Sequence, residues 1–198
     1  MPQIGSQDSQ QTVILQIALE VFADVGIAAA RVADIAERSG VGKGTVYLHF
    51  KRKEDLALAV SDLIFDEFDR WYDGVAQSQT VAELRAGLEA VFEPRHRHAK
   101  LLSVLQELTR LPDCRDETVR RSQQRLGRTG NLIARKLDEF APSAPQDDWA
   151  PVNDGWMIVG MIQGVVFQAA LMGLTDEAYH AVKTQAVTRC LNGLSLQD

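Results

Sequence analysis

The sequence predicts an all-α protein. Strand signals are nearly absent, because no sustained alternation of apolar and polar residues occurs and no Asn-Gly turn separates apolar runs. Apolar residues instead recur at helical spacing along nearly the whole chain. Two threonines also stand where helix N-caps are expected, Thr80 with Glu83 three residues later and Thr175 before Asp176.

The first helix is predicted from about Ser9 to Val25, and Gly26 ends it. Four apolar residues at helical spacing indicate its buried face: Val13, Ile17, Val21 and Phe22.

Residues 32–50, VADIAERSGVGKGTVYLHF, predict two short helices joined by a tight turn. Val32, Ile35 and Ala36 share one face of the first of these helices. Gly40 ends it, because glycine adopts the left-handed conformation that closes helices. Val46 anchors the second helix inward, and its outward positions carry hydrogen-bond donors, a ring and positive charge. This pattern is typical of a helix-turn-helix, whose second helix enters the DNA major groove.

Helical periodicity continues to the end of the chain. A long fourth helix starts near Lys53 and carries an apolar stripe of Leu56, Val60, Leu63, Ile64, Phe68 and Trp71. Residues 141–151, APSAPQDDWAP, predict a loop. Five further helices are predicted at about 80–94, 96–111, 115–140, 152–173 and 176–194, which makes nine in all.

Composition indicates a soluble chain that would work in a reducing cytoplasm. No run of about 18 apolar residues suggests a membrane span, the N-terminus lacks the pattern of a secretion signal, and two cysteines are too few for a disulfide framework. The net charge is −6, yet residues 38–53 contain five basic residues and no acidic one. A local basic patch on an acidic body can still bind phosphates.

Residues 12–56 resemble the DNA-binding domain of TetR/AcrR-family transcriptional regulators. The shared features lie in the family's order and spacing: Ala18, Phe22, Gly26, the run 32–36, Gly40-Val41, the run 43–47, Phe50 and Lys53-Glu54-Asp55-Leu56. The resemblance implies a three-helix head at residues 1–52 and a helical domain at 53–198 that binds a small molecule and forms the dimer.

Two positions depart from the family's pattern. Arg31 stands where the family usually places the Ser or Thr cap of helix 2, and Arg52 stands where Ser often precedes helix 4. An arginine cannot accept the free N–H groups there, and losing a cap costs about 1 kcal/mol. Both side chains could instead bind phosphate bidentately, or simply be solvated.

By matching position, the resemblance implies a set of DNA contacts. Lys43 and Gly44 would lie nearest the base edges, where Lys43 can donate to guanine and Gly44 allows close backbone approach. Lys53 would bind a phosphate. Tyr47 is also a predicted contact, although its ring could alternatively pack against helix 1. The full predicted set is Arg31, Gly42, Lys43, Gly44, Thr45, Tyr47, His49, Lys51, Arg52 and Lys53.

The C-terminal domain offers candidates for two further surfaces. An apolar or aromatic effector would contact Phe65, Phe68, Trp71, Tyr72, Phe92, Gln106, Arg110, Asn131, Trp156, Gln163 and Phe167. A four-helix dimer interface would use Gly160, Gly164, Gln168, Ala178, Val182, Gln185 and Arg189, although these could also pack inside one chain.

The function expected is a repressor that binds a palindromic operator as a homodimer and is released by a small molecule. The alternative is a DNA-binding architectural protein, or a regulator controlled by a protein partner, without such a ligand. An enzyme is not expected, because no catalytic motif or metal-ligand pattern occurs, and no cofactor or metal is expected.

Overall fold

The computed structural model describes residues 5–140, 150–194 and 196. Within these residues every regular element is a helix, which confirms the all-α prediction. The helices are α1 (Gly5–Val25), α2 (Val32–Arg38), α3 (Lys43–His49), α4 (Lys53–Trp71), α5 (Asp73–Gln77), α6 (Val81–Ala90), α7 (Arg95–Arg110), α8 (Pro112–Phe140), α9 (Ala150–Met172) and α10 (Asp176–Gly193).

The described residues contain ten helices, so the predicted number of nine is wrong by one. The additional helix is α5, which is five residues long and therefore too short to show helical periodicity. It lies directly against α6, since a Cβ added to Gly87 would come within 2.8 Å of the backbone of Gly74 and Val75.

Both predicted threonine caps are present. The Thr80 side chain accepts the N–H of Glu83 at 3.1 Å, and Thr175 accepts the N–H of Ala178 at 3.3 Å.

The chain divides into two compact units. Unit 1 comprises Met1–Glu67 and Lys100–Arg121, and unit 2 comprises Phe68–Ala99 and Ser122–Asp198. Unit 1, which is called the head below, therefore includes most of α4 and parts of α7 and α8 as well as α1 to α3. The functional division at residues 52 and 53 stays a prediction.

Apolar side chains of the first three helices form the core of the head. Ile14, Phe22, Ile35 and Val46 are each at most 1% exposed. Val13, which helical spacing placed on the buried face of α1, is 43% exposed, because it lies at the edge of the apolar stripe.

The end of α2 has the predicted geometry. Gly40 has φ of +68°, the left-handed conformation. The N–H of Gly40 donates to the carbonyl of Glu37, and the N–H of Val41 donates to that of Ala36. These two hydrogen bonds form a Schellman motif, which ends α2 and turns the chain toward α3.

The core of unit 2 is built mainly around α9. Its buried side chains include Ile158, Ile162 and Val166, each fully shielded from solvent. Gly155 brings α9 against α8, since a Cβ there would lie 2.0 Å from the carbonyl oxygen of Gly130. α10 is held by the Tyr179 hydroxyl, which donates to the carbonyl of Phe92 at 2.8 Å.

One described segment, Asp154–Met172, is long and apolar enough to cross a membrane by length and composition alone. Apolar residues of α9 lie on two faces, one in the core of unit 2 and one exposed at Met157, Leu171 and Met172. A helix with one apolar face in the core and a second apolar face at the surface meets these criteria of length and composition without spanning a membrane.

Candidate nucleic-acid interface

α3 presents one face to solvent and anchors the other. Val46 is 1% exposed and fixes the helix against the head. Lys43, Gly44, Tyr47 and Leu48 lie on the exposed side. This arrangement matches the predicted recognition helix, in which one buried valine orients a row of outward side chains.

The Tyr47 ring belongs to the exposed face of α3. It is 42% exposed, and the Lys43 ammonium lies 5.8 Å from its ring centroid, within cation–π distance. The alternative in which Tyr47 packs into the head against helix 1 is therefore not favoured. Lys43 and Tyr47 instead form one cationic and aromatic pair.

Leu48 is an exposed apolar residue that the sequence interpretation did not include. Its side chain is 86% exposed, an unusual position for leucine in a short helix. Its exposure could have been predicted from its position two residues after the inward Val46, because that spacing places it on another face of the helix.

Gly44 faces open space. A Cβ added there would meet no protein atom within 4 Å. Packing within the head therefore does not require glycine at this position. Glycine also lowers helix stability by about 1 kcal/mol relative to alanine, so packing and helix propensity both leave it unexplained. Its predicted role, close backbone approach to a groove, remains consistent with this geometry.

Arg31 lies at the N-cap position of α2 and makes no side-chain hydrogen bond to the helix, which confirms that the usual cap is missing. The side chain is exposed. A phosphate contact by Arg31 stays a prediction.

Arg52 is exposed but paired with carboxylates. Its guanidinium lies 2.5 Å from Asp113 and 3.3 Å from Asp55. The Asp55 carboxylate also accepts the backbone N–H of Arg52 at 3.1 Å, which is the half of a capping box that the third residue of a helix supplies. A phosphate would have to compete with both carboxylates for this guanidinium.

The Lys53 ammonium is directed toward the α1–α2 turn (residues 26–30). It donates to the carbonyls of Ile27, Ala28 and Ala30 at 2.8, 3.1 and 3.2 Å. An ammonium has three N–H donors, so these three carbonyls use its capacity in this structure. The predicted phosphate contact of Lys53 stays a prediction beside this structural role.

The remaining predicted DNA contacts lie on α3 or directly beside it. Gly42 is the N-cap residue of α3 and is exposed, as is Lys51. Thr45 and His49 are half-buried. The exposed surface of the head thus carries most of the predicted set.

The predicted effector residues divide between the two units. Phe65, Gln106 and Arg110 belong to unit 1, and the other eight belong to unit 2. Four of them are exposed, namely Gln106, Arg110, Asn131 and Trp156. Three are half-buried, namely Trp71, Gln163 and Phe167, and the other four are buried, namely Phe65, Phe68, Tyr72 and Phe92. An effector site formed by these residues stays a prediction.

Unit 2 contains an aromatic cluster of Phe68, Trp71 and His98. The His98 ring centroid lies 5.0 Å from that of Phe68 and 4.7 Å from that of Trp71. His98 is 2% exposed, and its buried Nδ1 has no hydrogen-bond partner in the structure. Burial lowers the pKa of His98 to about 4.

This cluster predicts an acid-sensitive fold. Because the folded-state pKa of His98 (about 4) lies below its unfolded value of 6.5, its contribution to stability is present above pH 6.5 and lost as pH falls toward 4. The difference amounts to about 3 kcal/mol. In urea titrations from pH 7 to 4, His98→Leu should lose less stability than the wild type. Equal losses would contradict this assignment, and a variant of exposed His180 is the control.

A groove of about 540 Å³ lies between α9 and α10. Its walls are almost entirely apolar, and Arg189 supplies the charged group. It is lined by Met157, Met161, Ala186, Arg189, Cys190, Gly193 and Leu194. None of the predicted effector residues lines it, whereas Arg189 was predicted at the dimer interface.

Comparisons with known proteins agree with the geometry of the head. Residues 14–60 match the model of bacterial regulatory proteins of the tetR family. The chain is 36% identical to the HTH-type transcriptional repressor KstR2 of Mycolicibacterium smegmatis over 108 residues, 53% of each chain. This match therefore spans about half the length of that relative.

Two further likenesses cover nearly the whole chain. The HTH-type transcriptional regulator BetI of Cronobacter sakazakii is 26% identical over 98% of this chain and 96% of its own length. The crystal structure of the transcriptional regulator FadR from Bacillus subtilis in complex with stearoyl-CoA has a TM-score of 0.65 at 20% identity, covering 92% of this chain and 98% of FadR. The likeness to FadR shows that the fold is shared.

Proposed function

We propose that this chain, whose residues 14–60 match the model of bacterial regulatory proteins of the tetR family, is a cytoplasmic transcriptional repressor of that family. It binds a palindromic operator as a homodimer, and a small-molecule effector releases it. The observation that carries this proposal is the exposed face of α3, where Lys43, Gly44, Tyr47 and Leu48 surround the inward anchor Val46.

Each side chain on this face suits a part of DNA. Lys43 donates to the O6 and N7 acceptors of guanine, and Leu48 makes apolar contact with a thymine methyl group. Exposed Arg31 and Lys51 contact phosphates and contribute most of the sequence-independent affinity.

The proposed dimer uses the exposed faces of α9 and α10. Gly160, Gly164 and Gln168 recur at helical spacing on α9 and are exposed. Val182, Gln185 and Arg189 are exposed on α10, and Ala178 is half-buried beside them. A Cβ added to Gly160 or Gly164 would meet no atom of the described residues within 4 Å. Packing inside one chain therefore does not explain these glycines, and the close approach of a partner helix does.

Replacement of Gly164 with arginine should convert the dimer into a folded monomer. A Cβ at this position meets no atom of the described residues within 4 Å, and the arginine would project a charge into a tight helix–helix interface. Light scattering after size exclusion gives the mass, and circular dichroism gives the fold. A G164R dimer as tight as the wild type would refute this interface.

The effector is proposed to be an apolar or aromatic molecule bound among the aromatic residues of α4 to α9. FadR supports this class, since its crystal structure contains stearoyl-CoA. The effector prefers a dimer state whose two recognition helices do not match successive major grooves, about 34 Å apart. It lowers operator affinity by population shift, and DNA lowers effector affinity by the same factor.

Selection of binding sites from random double-stranded DNA tests this function. The full-length protein should enrich a palindrome, and its affinity should fall steeply with salt. A thermal-shift screen with acyl-CoA thioesters and aromatic acids then tests effector release. If no sequence is enriched, the proposed DNA-binding regulator is refuted. If a palindrome is enriched but a broad screen finds no effector, a ligand-independent DNA binder is favoured.

A further inference from the structure

The α1–α2 turn lies between two side chains of opposite charge. The Glu107 carboxylate, from α7, accepts the N–H of Ile27 at 2.8 Å and the N–H of Ala28 at 2.7 Å. The Lys53 ammonium, from the first residue of α4, binds carbonyls of the same turn. Side chains from two other helices therefore bind both N–H groups and carbonyl groups of this short segment.

The turn is shaped to receive this carboxylate. Gly26 has φ of +81°, which closes α1 and exposes the two following N–H groups. A Cβ at Gly26 would lie 3.1 Å from Oε2 of Glu107, tighter than most contacts of real side chains. A carboxylate that accepts two N–H groups forms charge-assisted hydrogen bonds, which are stronger than neutral ones.

The turn leads directly into the helix-turn-helix. Arg31 is the N-cap residue of α2, and Val32, Ile35 and Ala36 bury the following helix in the head. α2 ends at the Gly40 turn, which precedes α3. The position of residues 27 and 28 therefore influences where α2, and through it α3, can lie.

We propose that Glu107 is a positioning residue for DNA recognition, holding the α1–α2 turn so that α2 and α3 present the recognition face in one orientation. Glu107 lies on α7, outside residues 14–60 that match the family. This inference rests on the proposed DNA-binding function and adds a residue that contacts no DNA.

The sign of the expected effect separates this role from simple electrostatics. Glu107 is an anion in the head, and removing an anion should raise affinity for DNA if charge alone matters. Loss of the two hydrogen bonds should lower affinity, because the turn then samples other positions. Weaker binding after removal of a negative charge is therefore diagnostic of positioning.

The test is Glu107→Gln in the full-length protein, titrated against the palindrome that the wild type selects. The amide keeps the size of the side chain but can accept only one of the two N–H groups. We expect about tenfold weaker operator binding, with an unchanged slope of log affinity against log salt. Arg31→Ala, which removes one predicted phosphate contact from each protomer of the dimer, should instead reduce that slope by roughly 1.8.

Asp24→Asn is the matched control. Asp24 on α1 pairs with Lys100 on α7 at 2.7 Å, so this variant also removes one negative charge and one contact between the same two helices. It leaves the α1–α2 turn untouched and should bind the operator at least as tightly as the wild type.

Operator affinity of E107Q equal to or above the wild-type value would overturn the proposal. If E107Q folds poorly, Glu107→Asp replaces it, because it keeps the charge but shortens the reach, and wild-type affinity in that variant overturns the proposal equally. Failure of the DNA-binding function is distinguishable, because it appears as absence of wild-type binding in the same titration.

Discussion

Replacing Lys43 and Tyr47 together with alanine should lower operator affinity by at least about 100-fold, since a good base contact contributes about 1–3 kcal/mol of discrimination and the dimer loses two contacts from each protomer. Both side chains lie on the exposed face of α3, and Lys43 lies 5.8 Å from the Tyr47 ring centroid. Their joint loss therefore removes a cation and a ring that lie side by side on the proposed recognition face. Fluorescence anisotropy with the selected palindrome measures the affinity.

The fold should survive this double change, because the anchor Val46 is kept and neither side chain contributes to the core. The melting temperature and the dimer mass should therefore equal those of the wild type. Arg135→Ala is the charge-matched control, since Arg135 is exposed on α8 in unit 2. If the double variant bound the operator with wild-type affinity, the assignment of α3 as the recognition helix would be wrong.

The parts of the molecule that sequence could predict depend on local chemistry. The two helices of the helix-turn-helix follow from the spacing of Val32, Ile35 and Val46, and the turn follows from Gly40, whose φ is +68°. The caps at Thr80 and Thr175 follow from one hydroxyl and one N–H three residues later. Such features need only a few consecutive residues, so a single sequence contains them.

The parts that sequence could not predict depend on residues far apart in the chain. Glu107 binds the N–H of Ile27 across a separation of 80 residues, and no local pattern marks that glutamate. The paired state of Arg52 depends in the same way on Asp113. Basic residues that the resemblance assigned to DNA thus differ in availability, since Arg52 is paired with two carboxylates whereas Arg31 and Lys51 are exposed.

The glycines of α9 show the same limit. The sequence predicted Gly160 and Gly164 at a dimer interface, but spacing could not say which glycine meets a neighbour of its own chain. Gly155 meets the backbone of Gly130, whereas Gly160 and Gly164 face open space. The first is therefore required by the protomer, and the other two are free to serve an interface.

Gly155→Ala should destabilise the protein by about 3 kcal/mol, toward the upper end of the usual cost of overpacking. The added methyl group would lie 2.0 Å from the Gly130 carbonyl oxygen and 3.1 Å from the Ala134 nitrogen. Both are backbone atoms of α8, so no side chain can rotate away and the two helices must separate. The melting temperature should fall by roughly 6–12 °C for a chain of this size.

Intrinsic helix propensity predicts the opposite sign, because alanine is favoured over glycine by about 1 kcal/mol inside a helix. Gly127→Ala on α8 isolates that effect, since its Cβ would meet only the Trp156 ring at an ordinary 3.9 Å. We expect G127A to melt at or above the wild-type temperature and G155A well below it. An unchanged or raised melting temperature in G155A would show that α8 and α9 do not approach this closely, because propensity alone would then account for both variants.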